Sequence, residues 1–297
     1  MKKFIALTVL CFLLAGCTTQ NNESTFSEST IEQTETIAEN KISDFDYEED
    51  DGTISIIGYS GQSEIVKIPE KIDGKKVTEI DDMAFYENTY IKEVELSDGI
   101  IEIGDSAFQN CKSLERIEIP KTVTEIGMNA FDGTLWLDGF EQDLVTVGDG
   151  FLYAYKGSEA NIIVPQTVKV IGKYSFSRNN FVQSVVANSV KKVEDNSFWD
   201  CQSLKSVELK SAIEISDNTF SGCGQLENVE LSENLLEIGD WAFLDCKMLK
   251  ILKLSETLSE IEENTFNGCE SLVLKVKENS FAQIYAQENN IDYEITD

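Results

Sequence analysis

Eight phenylalanines measure out this chain. Phe85, Phe108, Phe131, Phe176, Phe198, Phe220, Phe243 and Phe266 are spaced 23, 23, 45, 22, 22, 23 and 23 residues apart. Five residues before each stands a β-branched residue, from Ile80 and Ile103 through Val193 to Ile261, and the residue just before each is Ala, Ser or Thr. Six residues after lies Ile91, Leu114, Leu137, Val182, Leu204, Leu226, Leu249 or Leu272. In most units an L-x-x-V/I-x-L pattern follows, as in Leu204, Val207 and Leu209. Columns that coincide this often identify a repeated unit, and a unit this short buries its apolar face only by stacking on its neighbours.

A period of 22 to 23 residues with an L-x-x-L-x-L core is the mark of a leucine-rich repeat solenoid. The expected fold is mainly β: parallel strands from stacked coils, short helical turns between them, and a cap at each end. Each L-x-x-I-x-I segment should form a strand with its apolar residues facing into the stack. A second extended piece, such as Thr124-Glu125-Ile126, precedes the turn. Asp82, Asp105, Asp195, Asp217, Asp240 and Glu263 stand three residues before their phenylalanines. An acid there suits the N-cap or first turn of a short helix.

The phrase V-T-E-I-G-x-x-A-F-x-x-C-x-S-L-x-x-I-x-I-P resembles the BspA-type leucine-rich repeat of bacterial surface proteins. Residues 99–120 and 235–254 match it best, within a solenoid expected over 77–275. Residues 44–76 are expected to form an N-terminal β cap and 276–297 a closing cap, with Ser280 starting a short helix. The rhythm breaks once, at 134–164, where VTVGDGFLYAY with Gly148 to Gly150 reads as a hairpin inside a variant coil. Trp136, Phe140, Phe151, Tyr153 and Tyr155 make this the most aromatic part of the chain. They serve either as local core or as a contact platform, with Trp136, Tyr153 and Tyr155 the candidates for the platform.

The segment ahead of the repeat reads as an address. Lys2 and Lys3 precede an apolar stretch too short to span a bilayer comfortably, and Leu14-Ala15-Gly16-Cys17 resembles a bacterial lipoprotein cleavage site. The resemblance implies removal of residues 1–16 and lipidation of Cys17, which would hold the protein on the outer side of the cell membrane; the alternative is a plain secretory signal. Residues 17–43, nearly all Thr, Ser, Gln, Asn and Glu, are expected to be a disordered tether.

Composition excludes several chemistries. With 54 acidic residues against 24 basic ones the formal charge is −30, a surface that repels phosphate backbones, so no nucleic-acid partner is expected. There is no histidine, which removes Ser-His and Cys-His pairs and His-ligated zinc. No cofactor or metal site is expected, and no catalysis. Cys111, Cys201, Cys223, Cys246 and Cys269 each follow their phenylalanine by three residues, where other coils hold Asn88, Thr134 and Asn179. That exchange suits a small inward side chain that bonds backbone groups at the bend. Equivalent Cβ atoms in stacked coils lie ~4.8 Å apart, beyond the usual disulfide range, so five free thiols are expected.

Two glutamate columns remain. One comprises Glu79, Glu102, Glu125, Glu214, Glu237 and Glu260, and the other Glu95, Glu118, Glu208 and Glu230, on the outward face of the strand. Neighbouring charges there repel by roughly 0.8 kcal/mol before screening, which is tolerable for a merely solvated face. The alternative is a site for a basic partner or for loosely held divalent cations. The resemblance implies a non-enzymatic module for adhesion to host, matrix or other cell-surface proteins, and a monomer is expected. A solute-binding or sensory lipoprotein is the alternative, and a carboxylate glycosidase a more distant one.

Overall fold

In the computed structural model, residues 40–296 are described. The expected signal, Cys17 and the tether up to residue 39 lie outside them. The cap makes contacts from Asn40 onward: its side chain donates to the Lys67 carbonyl and accepts from the Lys67 amide, at 2.8 and 2.9 Å. That is four residues before the expected start of the cap at 44.

Each regular coil contributes two short strands, one before its phenylalanine and one after, and like strands pair in parallel and in register. The leading ladder runs from the N-terminal hairpin Phe45–Asp50/Thr53–Tyr59 through Lys75–Ile80 and Glu102–Ile103 to Glu125–Ile126, where it stops. It resumes with the hairpin Leu144–Val147/Phe151–Tyr155 and continues through Val170–Ile171 to Glu260–Ile261. The trailing ladder is cut into Ile65–Lys67 to Arg116–Glu118, Asn161–Ile163 to Asn228–Leu231, and Ile251–Lys253 to Asp292–Ile295. The strands are short because only one or two residues per face can point inward before the chain must turn. A helix over Phe281–Glu288, capped by the Ser280 hydroxyl accepting from Gln283 N, follows the last coil.

The phenylalanines form the spine. Successive rings in regular coils stack with centroids 4.8 to 5.5 Å apart and all are buried, each contact adding about 0.5–1.5 kcal/mol to simple area burial. The backbone repeats the same step. The amide of Phe85 donates to the Ala107 carbonyl, that of Phe108 to Ala130, and that of Phe198 to Thr219.

The Phe sits in a double turn because the residues two before and two after it have positive φ. Ser106 (57°) and Asn110 (60°) around Phe108, and Asn196 (57°) and Asp200 (57°) around Phe198, are examples. A left-handed residue stops a helix from propagating, and Asn, Asp and Gly tolerate it best. The acids therefore serve one coil further on than expected. Asp82 accepts from Asp105 N (2.6 Å), Asp105 from Met128 N (2.6 Å), and Asp217 from Asp240 N (2.8 Å). These bonds form a staircase between turns. Gly104 lets the turns approach this closely, since a Cβ there would lie 2.6 Å from both the amide nitrogen and a carboxylate oxygen of Asp82.

The five cysteines of the described residues are free. Each thiol donates to the carbonyl of the previous coil's phenylalanine, as Cys111 does to Phe85 (3.0 Å) and Cys223 to Phe198 (3.1 Å). Asn88 and Asn179 at the same place instead accept amide bonds of their own bend, from Ile91 and Val182 among others. Cys, Asn and Thr are thus different solutions to one need: satisfying buried backbone at a corner.

Candidate functional site

The variant coil is where the repeat ceases to be uniform. Its aromatic residues divide into two groups. Tyr153 and Tyr155 are buried, which corrects the expectation that they belong to a contact platform. Phe131 finds no regular coil above it, and its amide donates to the Tyr153 hydroxyl (3.0 Å) in place of the usual carbonyl. Tyr153, the residue bulged out of the hairpin register between Ala154 and Leu152, packs edge-on against the Phe131 ring at 5.5 Å. Tyr155 takes the part of the missing phenylalanine: its ring stacks on Phe176 at 5.1 Å and its amide donates to the Ser175 carbonyl. The doubled gap is therefore two steps, 131 to 155 and 155 to 176, of which only the second has a regular ring stack. The core divides at the same place, with Phe151 and Tyr153 in one cluster and Leu152 and Tyr155 in the other.

Trp136 behaves differently. In every regular coil the residue nine positions after the phenylalanine lies in a trailing strand, as Val94, Ile117 and Val185 do. After Phe131 that position is Phe140, and the chain there forms the short helix Leu135–Asp138 capped by Thr134. One strand of the trailing ladder is thus missing. Strand Arg116–Glu118 ends its sheet, and the next strand, Asn161–Ile163, pairs only with Ser184–Val186. Half-buried Trp136 leans over the gap, 4.6 Å from the Phe131 ring and edge-on to Phe140 at 5.1 Å.

Two confluent recesses of about 550 and 690 Å³ open here, and both are lined by Asp98, Ile117, Glu118, Pro120 and Trp136. The first also reaches Glu93, Glu95 and Glu115, so five carboxylates face it. The one cation lining it, Arg116, is bonded to Glu93. Three expected site residues, Glu95, Glu118 and Trp136, are therefore brought together. Phe140, one of the aromatic residues of the variant coil, joins them, and so do Leu96, Asp98 and Pro120, which the sequence did not mark; the absence of the usual strand pattern nine residues after Phe131 is the signal that could have found them.

Glu208 and Glu230 lie elsewhere. They are paired across neighbouring strands, and Lys210 reaches both, at 2.8 and 2.9 Å. The Lys210 bond holds the Glu208 carboxyl below its ordinary range, and the two glutamates push Lys210 up to about 12. Glu95 has Lys67 at 3.1 Å, whereas no cation pairs with exposed Glu118 among the described residues. On the other ladder Glu79, Glu102 and Glu125 stack in register, and partial burial, followed by repulsion from Glu125 and Glu79, raises the Glu102 carboxyl. Among the described residues no group of three or more His, Cys, Asp or Glu is arranged to hold a metal ion.

Glu194 is a buried acid that the sequence did not mark. It stands where other coils have Gly104, Gly127 or Gly239, with one carboxylate oxygen accepting from Lys173 N (3.2 Å) and the other without a partner. Burial pushes it up to about 7 against the pull of Lys192 and Lys173.

The model of the BspA type leucine rich repeat region matches in six copies over residues 58–179 and 146–273. The chain belongs to the BspA-type leucine-rich repeat family. No curated protein matches it. Among solved structures it is similar to the T. pallidum leucine rich repeat protein, at 30% identity over 71% of this chain and 90% of that one, with a TM-score of 0.38. A leucine rich cell surface protein from Faecalibacterium prausnitzii is 17% identical over 86% and 95% of the two chains, TM-score 0.35. The pneumococcal vaccine antigen PcpA is 19% identical over 76% and 73%, TM-score 0.38. Within this chain the phenylalanines, the acid staircase and the thiol column recur from coil to coil, and the gap beside Trp136 lies where that recurrence breaks.

Proposed function

We propose that this is a surface-displayed binding protein, tethered to the cell membrane through Cys17, whose trailing-ladder face beside Trp136 engages a protein partner in adhesion. The observation that carries this reading is the gap in the trailing ladder beside Trp136: it gathers exposed carboxylates and a half-buried tryptophan at one place. Partner contacts concentrate on aromatic anchors ringed by polar groups, and a solenoid offers an extended rigid face to build them on. Surface display is supported by the family and by the lipoprotein-like Leu14 to Cys17 segment. Among the described residues no helix is long and apolar enough to cross a membrane. The test measures binding of the full chain to immobilised host, matrix and bacterial surface proteins. Binding is expected to be saturable, lost in Glu95→Lys/Glu118→Lys and retained in Glu208→Lys/Glu230→Lys; the reverse ranking, or no binding to any of them, overturns the reading. Cys17→Ala should move the protein from the membrane fraction to the medium.

A further inference from the structure

We infer that the gap beside Trp136 accepts an extended basic peptide segment as an added strand, paired to the free edge of Arg116–Glu118. The inference rests on the binding role proposed above and gives that role a partner chemistry. Three independent features converge on it.

First, the edge is open: Arg116–Glu118 ends its sheet, as Asn228–Leu231 does at the second break in the ladder, but here the next coil supplies no trailing strand at all. The coil of Phe131 should supply the next strand around Phe140 but forms a helix instead. An unpaired edge presents backbone donors and acceptors to any extended segment that can lie alongside. A strand sits ~4.8 Å from its neighbour, so one added strand is one rung of this ladder.

Second, the existing rows dictate what each guest side chain would meet. The ladder pairs residues in register, and the row Lys67, Glu95, Glu118 runs outward to the gap. Lys67 satisfies Glu95, and Glu118 meets no cation among the described residues. The next position in that row calls for Lys or Arg. The row Val66, Val94, Ile117 points inward, and its next position meets the exposed flank of Trp136, which calls for an apolar residue. Alternation in a strand puts these two requirements on adjacent residues, so the guest reads apolar–basic–apolar.

Third, charge selects the sign of the partner. Five carboxylates face the recess against a single arginine already bonded to Glu93. With a chain charge of −30 around it, the field steers cationic segments inward and repels acidic ones.

The test pans a displayed library of random twelve-residue peptides against the full chain, then measures the selected peptides by titration. Expected winners alternate apolar residues with Lys or Arg. Their binding should weaken by about tenfold or more in Glu118→Lys, weaken in Trp136→Ala, and vanish when alternate peptide amides are N-methylated. Glu118→Gln, whose side chain is exposed, provides a variant that keeps the fold while removing the charge, with circular dichroism as the check. Winners without basic residues, an absence of winners, or binding indifferent to Glu118→Lys or to N-methylation each overturn the inference. A protein partner that binds through another face would overturn it while leaving the adhesive role standing. Basic peptides that bind the gap when no protein partner does would support this site and remove the adhesive role.

Discussion

Replacing Tyr153 by phenylalanine deletes one oxygen, yet the structure assigns that oxygen two duties at the junction between the two halves of the core. The hydroxyl accepts the buried Phe131 amide at 3.0 Å and bonds the Asp132 side chain, where it opposes the rise that burial imposes on that carboxyl. Leaving a buried donor unpaired costs about 1–3 kcal/mol, and losing a bond to a partly exposed carboxylate adds about 1 kcal/mol. Tyr153→Phe should therefore lower stability by about 2–4 kcal/mol. Tyr155→Phe is the matched control. Its ring carries the stacking on Phe176 and is kept, while its hydroxyl accepts the amide of Glu159 in a loop that water can reach, so the loss should stay below about 1 kcal/mol. Urea unfolding followed by circular dichroism measures the difference, and hydrogen exchange by segment locates it. In a stack stabilised by nearest-neighbour contacts, weakening one interface should also let the two flanking halves open separately. If Tyr153→Phe stays within about 0.5 kcal/mol of wild type, or if Tyr155→Phe costs as much, the assignment of Tyr153 as the bridging group is wrong.

Further expectations follow from the same geometry. Burial pushes the Cys111 and Cys269 thiols up to about 12 and raises Cys223 and Cys246 well above their ordinary range; iodoacetamide at pH 8 should leave the native thiols of residues 44–297 largely unmodified and label five after denaturation, with half-buried Cys269 reacting first. Gly104→Ala should destabilise by about 1–3 kcal/mol through its clash with the Asp82 turn, while Gly224→Ala, whose nearest neighbour would be 4.0 Å away, should change the unfolding midpoint little. Because Glu194 is raised in the folded state to about 7 from 4.5, the native chain holds an extra proton between those values. Stability should therefore fall as pH rises through that window. Glu194→Gln should gain about 3 kcal/mol at pH 8, at 1.36 kcal/mol per pKa unit, and little at pH 4; equal effects at both pH values would sink this account.

Much of the scaffold was legible because each column repeats the same physical demand. Phe, the β-branched residue five before it and the leucine six after recur where side chains must fill one buried volume per coil, and the inward cysteines follow the same count. What escaped was whatever depends on two coils at once. The acid three residues before Phe108 looks like a local cap, and only the stacked turns reveal that Asp105 serves Met128. Tyr155 was hidden for a related reason: it stands 24 residues from one phenylalanine and 21 from the next, and the spacing alone does not say that a tyrosine can complete a phenylalanine stack. Glu118 was visible as an outward residue, but its distinction from Glu230 was not, because Lys210 bonds Glu230 whereas, among the described residues, no cation pairs with Glu118. Helix Leu135–Asp138 was the least legible element; its aromatic residues fit a strand or a platform equally well.

The acid staircase has a direction, since each turn receives the amide of the turn that follows it. A coil inserted inside either half would find the same acceptor below and the same donor above, together with a ring on each side at the spacing it needs. A coil inserted at Tyr153 and Tyr155 would find neither, because there the hydroxyl stands in for a carbonyl and the staircase is broken at Met128 and Lys173. Gene duplication can therefore lengthen or shorten the arms of this protein one coil at a time, while the distance from the Trp136 gap to the bulged hairpin stays fixed. The length of the solenoid is free to evolve independently of the gap.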